Sequence, residues 1–132
     1  MIAIDTNVLV RILVDDEKQK RQNVAARRLA ERAKKVFIPQ LVQVEAVWVF
    51  KSAHRLTRQH IIFLLDHLLE NSAFVLQYEA DFTKALQLYK EDNVEFADCV
   101  VLVTSVAAQL KLATFDRKLA KLAHVQLVSS LL

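Results

Sequence analysis

Short apolar segments alternate along this chain with longer stretches in which apolar residues recur every three or four positions. The apolar segments predict strands at residues 1–4, 36–38, 74–76, 112–115 and 125–128. The longer stretches predict helices from residue 5 or 6 to about 13, within 18–35, at 40–54, 57–70, about 79–91 and 96–110, and a short helix at 116–123. Because helical crossovers separate the strands, they are expected to be parallel. The predicted fold class is therefore α/β, with three α/β/α layers and a mostly parallel sheet of about five strands.

Length and composition fit one soluble domain that covers residues 1–132. The chain is 54% hydrophobic and 25% charged, which excludes a disordered or low-complexity segment. The longest nearly apolar segment, residues 99–110, is shorter than the roughly 20 residues that cross a membrane. The N-terminus lacks the basic region of a secretory signal, and the single cysteine, Cys99, excludes an internal disulfide. These features predict a cytoplasmic protein without a membrane partner.

Glycine is absent from the sequence. Glycine-rich phosphate loops and dinucleotide-binding turns need close approach of the backbone to the ligand, so enzymes of those types are excluded. Left-handed backbone positions, which glycine usually occupies, would fall to residues such as Asn71 or Asn93.

Positive charge is concentrated in residues 18–35, which contain eight basic residues and one acidic residue. The net charge of the whole chain is only +3, so the remaining residues are acidic overall. On a helix, four of the basic side chains form one stripe: Arg21, Arg28, Arg32 and Lys35. The opposite, buried side would be formed by Val24, Leu29, Ala30 and Ala33. The stripe is either a solvated helix face or a surface that binds the phosphates of nucleic acid, and charge alone does not decide between them.

Two aspartates follow predicted strands and precede predicted helices. Asp5 ends the first strand, and Asp116 follows the fourth strand after Thr114. A carboxylate at such a position can cap free backbone N–H groups and is stabilised by the helix dipole. It also lies at the carboxyl end of a strand, where open α/β sheets bind their ligands. Capping is the simpler interpretation of each aspartate alone, whereas the repetition favours a shared site.

Glu45 lies in an apolar helical segment and has no basic partner on its own helix. Its neighbours at helical spacing are all apolar: Leu41, Val42, Trp48 and Val49. A buried lone carboxylate is costly unless it is protonated or paired with a cation. We therefore expect Glu45 to face a cleft or a cation, with a partly exposed surface acid as the alternative. Three aromatic residues are interpreted as core side chains rather than base-stacking platforms: Trp48, Phe50 and Phe63.

Asp98 begins a strongly apolar helix, and Glu95 lies one turn before it on the same face. Like charges at this spacing repel each other when both are exposed and ionised. The pair is therefore either a first-turn pair that the helix dipole stabilises or part of a functional site.

Together, these acids favour a metal site. Carboxylates that converge repel one another unless they are protonated or neutralised by a metal ion. A ligand set made only of oxygen atoms suits Mg²⁺ or Mn²⁺ better than zinc. Beside a basic surface, such a site suits the hydrolysis of phosphodiester bonds. The residues themselves therefore indicate a nuclease.

The sequence resembles the PIN-domain family, and within it the VapC-like ribonuclease toxins of prokaryotic type II toxin–antitoxin pairs. The resemblance covers nearly the whole chain. It rests on the segment Asp5-Thr6-Asn7 after the first strand, on Glu45 in an apolar helix, on Asp98 in Phe96-Ala97-Asp98, and on Asp116 after Thr114. This resemblance implies that residues 1–132 form a single domain with a PIN-like fold.

This resemblance also implies an activity, that of an endoribonuclease that uses Mg²⁺, or alternatively Mn²⁺, to direct water at an RNA phosphodiester. The metal ligands and catalytic residues would be Asp5, Glu45, Asp98 and Asp116. Asn7, Glu95 and Thr114 would be supporting polar residues. The implied partners are RNA, a cognate antitoxin protein and a second copy of the chain in a homodimer.

Other protein classes fit less well. A receiver domain would need a phospho-acceptor aspartate near position 55, where this chain has Lys51-Ser52-Ala53-His54-Arg55. A haloacid-dehalogenase-like phosphatase would need a second acid where this chain has Asn7. The alternative that stays open is a non-catalytic PIN-like module that binds RNA or acts as a scaffold. Such a module would keep the fold and the basic helix without cleaving RNA.

Overall fold

The structure, a computed structural model, describes residues 1–128, so the last four residues of the predicted domain lie outside it. The helices are α1 (Thr6–Leu13), α2 (Lys20–Ala33), α3 (Gln40–Ser52), α4 (Arg58–Glu70), α5 (Glu79–Glu91) and α6 (Phe96–Ala107). The strands are β1 (Ile2–Ala3), β2 (Val36–Ile38), β3 (Phe74–Leu76), β4 (Leu112–Thr114) and β5 (Val125–Leu127). Where a short helix is predicted at 116–123, the structure has one 3₁₀ turn, Leu119–Lys121.

Residue contacts group the chain into two compact units, Met1–Glu79 and a second unit that begins at Ala80. Each unit combines parallel strands with helices. The single domain over residues 1–132 stays a prediction. Within residues 1–128, no helix combines the length and the apolar character needed to cross a bilayer.

The first unit is built on a parallel sheet in the order β1-β2-β3. The central strand, β2, aligns Val36 with Ile2 on one side and with Phe74 on the other. Val36 and Ile38 are buried, as expected for a central strand with apolar side chains. Helices α1, α3 and α4 contribute fully buried side chains to the same core, among them Leu9, Phe50 and Leu65.

The second unit pairs β4 with β5, also in parallel, with Leu112 opposite Val125. Its core is centred on Phe96, the first residue of α6. The rings of Phe82 and Tyr89, both from α5, contact Phe96 edge to face at centroid distances of 5.8 and 5.6 Å. These contacts hold the beginning of α6 against α5.

The predicted strand positions and the parallel direction are confirmed, and so is the α/β class. Among residues 1–128, hydrogen bonds group the five strands into a set of three and a pair. The apolar pattern identifies each strand, but it does not specify partners, because pairing depends on contacts between residues far apart in sequence.

The absence of glycine leaves other residues in left-handed backbone conformations. Positive φ angles occur at five positions in the described chain: Lys34, Arg55, Tyr78, Gln109 and His124. The expectation that Asn71 would take this role is wrong, because Asn71 ends α4 with a φ of −95°. Asn93 is also not among the positive-φ residues.

Candidate carboxylate site

Asp5 lies at the carboxyl end of β1 and caps α1. The N–H of Ile4 donates to the carbonyl oxygen of Phe37 at 3.1 Å, which keeps the chain against β2 up to the residue before Asp5. The Oδ1 atom of Asp5 accepts a hydrogen bond from the N–H of Val8 at 3.0 Å. The capping interpretation is therefore confirmed. It uses one carboxylate oxygen, so the second oxygen is available to a ligand.

Glu45 reaches the same edge of this sheet from α3. Helix α3 follows β2, and β2 is parallel to β1, so both strands deliver the residues after them to one edge. The hydroxyl of Thr6 donates to Oε2 of Glu45 at 3.4 Å. This contact joins α3 to the Asp5-Thr6 segment across 39 residues of sequence.

Glu45 and two of its four apolar neighbours are exposed rather than buried. Leu41 and Trp48 are 67% and 69% exposed, and Glu45 itself is exposed. The argument that apolar neighbours would bury this carboxylate therefore fails, and the alternative of a surface acid describes its exposure. The assignment of Trp48 and Phe63 to the core is also wrong, since Phe63 is 68% exposed, whereas Phe50 is buried as predicted. Spacing reveals which residues share a helix face, but not which face is covered.

Asn7 lies in the first turn of α1, two residues after Asp5. Both line a surface groove of about 340 Å³ between α1 and α2, together with Arg11 and Gln22. The guanidinium of Arg11 donates through Nε to Oε1 of Gln22 at 3.0 Å and lies 3.7 Å from Asp16. The predicted polar helper Asn7 is therefore in a groove next to Asp5, and Arg11 is a groove residue that the sequence did not single out.

In the second unit, Asp116 repeats the arrangement of Asp5. It follows β4, and its Oδ1 atom accepts hydrogen bonds from the N–H groups of Lys118 at 2.8 Å and Leu119 at 3.1 Å. The N–H of Asp116 donates to the hydroxyl of Thr114 at 3.0 Å. Asp116 therefore accepts from local backbone N–H groups as the capping interpretation expects, but the element that follows is a 3₁₀ turn with Lys118 at its N-cap position rather than the predicted helix. The predicted supporting residue Thr114 holds the backbone of Asp116.

Asp98 differs from the two capping aspartates. It is half-buried in the first turn of α6. Burial raises the pKa of its carboxyl group above the ordinary value of 3.8, and the negative charges of Asp116 and Glu95 raise the pKa further. The structure thus brings Asp98, Asp116 and Glu95 close enough for their charges to interact. The predicted repulsion between Glu95 and Asp98 is present, but burial of Asp98 is the larger cause.

The donor set suits a hard divalent cation, although it is not a preformed cage. Within residues 1–128, no three carboxylate, imidazole or thiol side chains lie close enough together to hold a metal ion by themselves. Mg²⁺ typically keeps several water ligands and binds to one or two carboxylates together with substrate phosphates. The pair Asp98 and Asp116, whose mutual repulsion a cation would relieve, fits that mode of binding.

The basic stripe on and after α2 is exposed along its whole length: Arg21, Arg28, Arg32 and Lys35. In the described chain none of the four forms an ion pair, whereas Arg27 on the same helix pairs with Asp15 at 2.8 Å and Lys20 with Glu17 at 3.5 Å. Helix α2 ends at Ala33. Lys35 therefore lies after the helix, although it is counted with the stripe because of its spacing in the sequence.

The predicted buried side of α2 is partly wrong. Val24 is 50% exposed, while Asn23 and Ala26 are the buried residues of this helix. The side-chain amide of Asn23 donates to the carbonyl oxygen of Asp16 at 3.0 Å, which anchors the polar residue inward. Leu29, Ala30 and Ala33 are half-buried. The hydrogen bond of Asn23 therefore sets which face of α2 is buried, and this face differs from the one that the spacing of apolar residues predicts.

Parallel strands that alternate with helices, with aspartates after β1 and β4, define an α/β protein, and open α/β sheets bind their ligands at the carboxyl ends of the strands. The model of the PIN domain family matches residues 2–125. The chain belongs to the PIN domain family. It is also similar to a protein described as VapC ribonuclease from Aquifex aeolicus (strain VF5), with 25% identity over 124 residues, 92% of each chain.

Proposed function

We propose that this protein is an endoribonuclease that hydrolyses RNA phosphodiester bonds with Mg²⁺ or Mn²⁺, and that it is the toxin of a VapBC-type toxin–antitoxin pair. The crowding of carboxylates around Asp98 carries the proposal, because such crowding is costly without a cation. Membership of the PIN domain family and the similarity to a VapC ribonuclease support it.

Four acids would hold the divalent cation and carry the reaction: Asp5, Glu45, Asp98 and Asp116. When bound, the cation supplies Lewis-acid stabilisation of charge on the phosphodiester and favours deprotonation of the attacking water. The caps leave Asp5 and Asp116 rigid, each with one free carboxylate oxygen. The Thr6 hydroxyl restrains Glu45.

Three further polar residues would support these acids. The amide of Asn7 lies in the groove beside Asp5, where it can donate to a phosphate oxygen. Thr114 holds the backbone of Asp116. The carboxylate of Glu95 adds negative charge near Asp98, which increases the attraction for a cation.

RNA would bind along the basic stripe. Because these four cations are exposed and lack acidic partners within residues 1–128, they can exchange counterions for phosphates at little cost. Removing two charges with Arg28→Gln and Arg32→Gln should weaken RNA binding. It should also reduce the salt slope, which is the decrease of log K with log salt concentration, by about 1.4, because each phosphate contact with single-stranded RNA contributes about 0.7.

A matched control removes the same number of charges from paired residues. The variant Lys20→Gln with Arg27→Gln alters two cations of α2 that already contact Glu17 and Asp15. Its RNA affinity and salt slope should stay closer to wild type. Equal losses in the two double variants would contradict specific use of the stripe.

The remaining partners are proposed from the family. In a VapBC-type pair, the toxin binds a cognate antitoxin protein, and we expect a homodimer acting in the cytoplasm. Size-exclusion chromatography with light scattering measures the dimer directly, and co-expression with the neighbouring gene product tests the antitoxin.

The decisive experiment compares cleavage of a labelled single-stranded RNA by wild type, Asp98→Asn and Glu91→Gln, with Mg²⁺, Mn²⁺ or EDTA. Glu91 is an exposed acid at the end of α5 and serves as a charge-matched control. Wild type and Glu91→Gln should cleave in the presence of metal only, and Asp98→Asn should not cleave. A wild-type protein that binds RNA through the stripe but never cleaves it would favour the non-catalytic RNA-binding module instead.

A further inference from the structure

Gln43 is a buried polar residue in an otherwise apolar turn of α3. It is 1% exposed, and the only other buried polar residue in the described chain is Asn23. A buried amide is tolerated when its hydrogen bonds are satisfied, so the partners of Gln43 indicate what it does.

The side chain of Gln43 joins α3 to the ends of two strands. Its Nε2 atom donates to the carbonyl oxygen of Ile38, the last residue of β2, at 3.0 Å. The same atom donates to the carbonyl oxygen of Gln77, the residue after β3, at 2.9 Å. The N–H of Gln77 also donates to the carbonyl oxygen of Ile38, at 3.0 Å.

Gln77 returns the contact to the beginning of α3. Pro39 occupies the N-cap position and has no side-chain acceptor for the free N–H groups of the first turn. The N–H of Gln40 donates instead to Oε1 of Gln77 at 2.9 Å. Gln43 and Gln77 therefore form a reciprocal pair of contacts, which we name the glutamine clamp, comparable to a capping box made between a helix and a strand end.

We propose that the glutamine clamp is a positioning device for Glu45, fixing the first turns of α3 against the strand edge that carries Asp5 and Thr6. Glu45 lies two residues after Gln43 on the same helix. The contact of Thr6 with Glu45 is 3.4 Å long, near the limit of a hydrogen bond, so a small shift of α3 breaks it. The importance of this position for catalysis rests on the proposed function.

The test uses substitutions that keep or remove each half of the clamp. Gln77→Glu keeps an acceptor for the N–H of Gln40, whereas Gln77→Leu removes it. Gln43→Met conserves volume and removes both donated hydrogen bonds. Ile61→Val, which removes a buried methyl group from α4, is the control for a loss of stability without a change in the clamp.

Steady-state cleavage of a labelled RNA at saturating Mg²⁺ separates positioning from general stability. We expect kcat to fall at least about tenfold in Gln43→Met and Gln77→Leu with little change in KM, since small displacements of catalytic groups cost rate rather than binding. Gln77→Glu should retain most of the wild-type kcat. Ile61→Val should lower the Tm but keep the wild-type kcat at a temperature where all variants are folded.

Two results would overturn the proposal. In the first, Gln43→Met and Ile61→Val have the same Tm and also the same kcat. In the second, Gln77→Glu and Gln77→Leu lose an equal share of the wild-type kcat. If wild type does not cleave RNA, the proposed function fails. Crystal structures of the variants still test whether the glutamine clamp positions Glu45. The distance from Thr6 Oγ1 to Glu45 Oε2 should then exceed 3.5 Å in Gln43→Met but not in Ile61→Val, and an unchanged distance in Gln43→Met contradicts the clamp.

Discussion

Asp5 in the first unit and Asp116 in the second unit occupy equivalent positions after parallel strands, whereas Asp98 in the second unit lies in the first turn of α6 and has different surroundings. Asp5 accepts from a helix N–H, and Glu45 from a threonine hydroxyl, so each carboxylate has a donor. Asp116 is likewise held by two backbone donors. Asp98, by contrast, is half-buried and lies near the charges of Asp116 and Glu95, which raise its pKa.

This difference separates two roles that an acid at or near the beginning of a helix can have. A capping carboxylate stabilises the fold through hydrogen bonds and the helix dipole, whether or not a ligand is present. A half-buried carboxylate near like charges destabilises the fold when it is ionised, and a cation relieves that cost. Asp98 is therefore the residue whose destabilising charge a bound divalent cation would relieve most. Substitutions at Asp5 and Asp98 should have opposite effects on the stability of the fold.

The largest expected effect is on activity. Asp98→Asn should lower RNA cleavage at least about 100-fold, since second-layer partners of metal ligands already contribute 10–100-fold. Initial rates of cleavage at several Mg²⁺ concentrations measure this. Activity within a few-fold of wild type would remove Asp98 from the proposed site.

Asp5→Ala should destabilise the protein, because it removes the cap of α1. The expected loss is about 1 kcal/mol, which lowers the Tm by roughly 3–6 °C. Asp5→Asn keeps a side-chain acceptor and should stay near the wild-type Tm, although both variants should lose activity. Relief of charge repulsion alone predicts a higher Tm for Asp5→Ala, so thermal unfolding in metal-free buffer decides between capping and repulsion at this residue.

Asp98→Asn should stabilise the protein in metal-free buffer at neutral pH. Since folding raises the pKa of Asp98, the ionised carboxylate costs stability above that pKa. The advantage of the variant should shrink as pH falls through the folded-state pKa and vanish below about 3.8, where the group is protonated in both states. Thermal unfolding of both proteins across this pH range measures the effect, and a constant difference in Tm would contradict it.

The smallest effect should be seen in the titration of Asp98 itself. Asp116→Asn keeps an oxygen acceptor for the two backbone donors but removes the neighbouring charge. The pKa of Asp98 should therefore fall towards its ordinary value while staying above it, because burial is the larger cause. Nuclear magnetic resonance titration of the Asp98 carboxyl group in metal-free buffer measures the change. A pKa that does not move would show that Asp116 does not act on Asp98.

The features that local interactions govern could be predicted from the amino-acid sequence alone. The strands, most helix positions and the hydrogen bonds that Asp5 and Asp116 accept from nearby backbone N–H groups follow from contacts within a few residues. The N-cap of α4 is equally local, since Thr57 accepts from the N–H of His60 at 3.1 Å. Periodicity and capping act over three or four positions, so they can be identified without knowledge of the fold.

Which surfaces are covered and which distant groups meet could not be predicted in this way, because both depend on the folded unit. The exposure of Glu45 and Trp48 depends on what packs against α3, and no spacing within the helix specifies that. The glutamine clamp joins residues 34 apart in sequence, and the contact between Thr6 and Glu45 joins residues 39 apart. Such contacts form only when parallel strands bring their carboxyl ends to one edge, because the pairing of strands is a property of the whole unit rather than of any single segment.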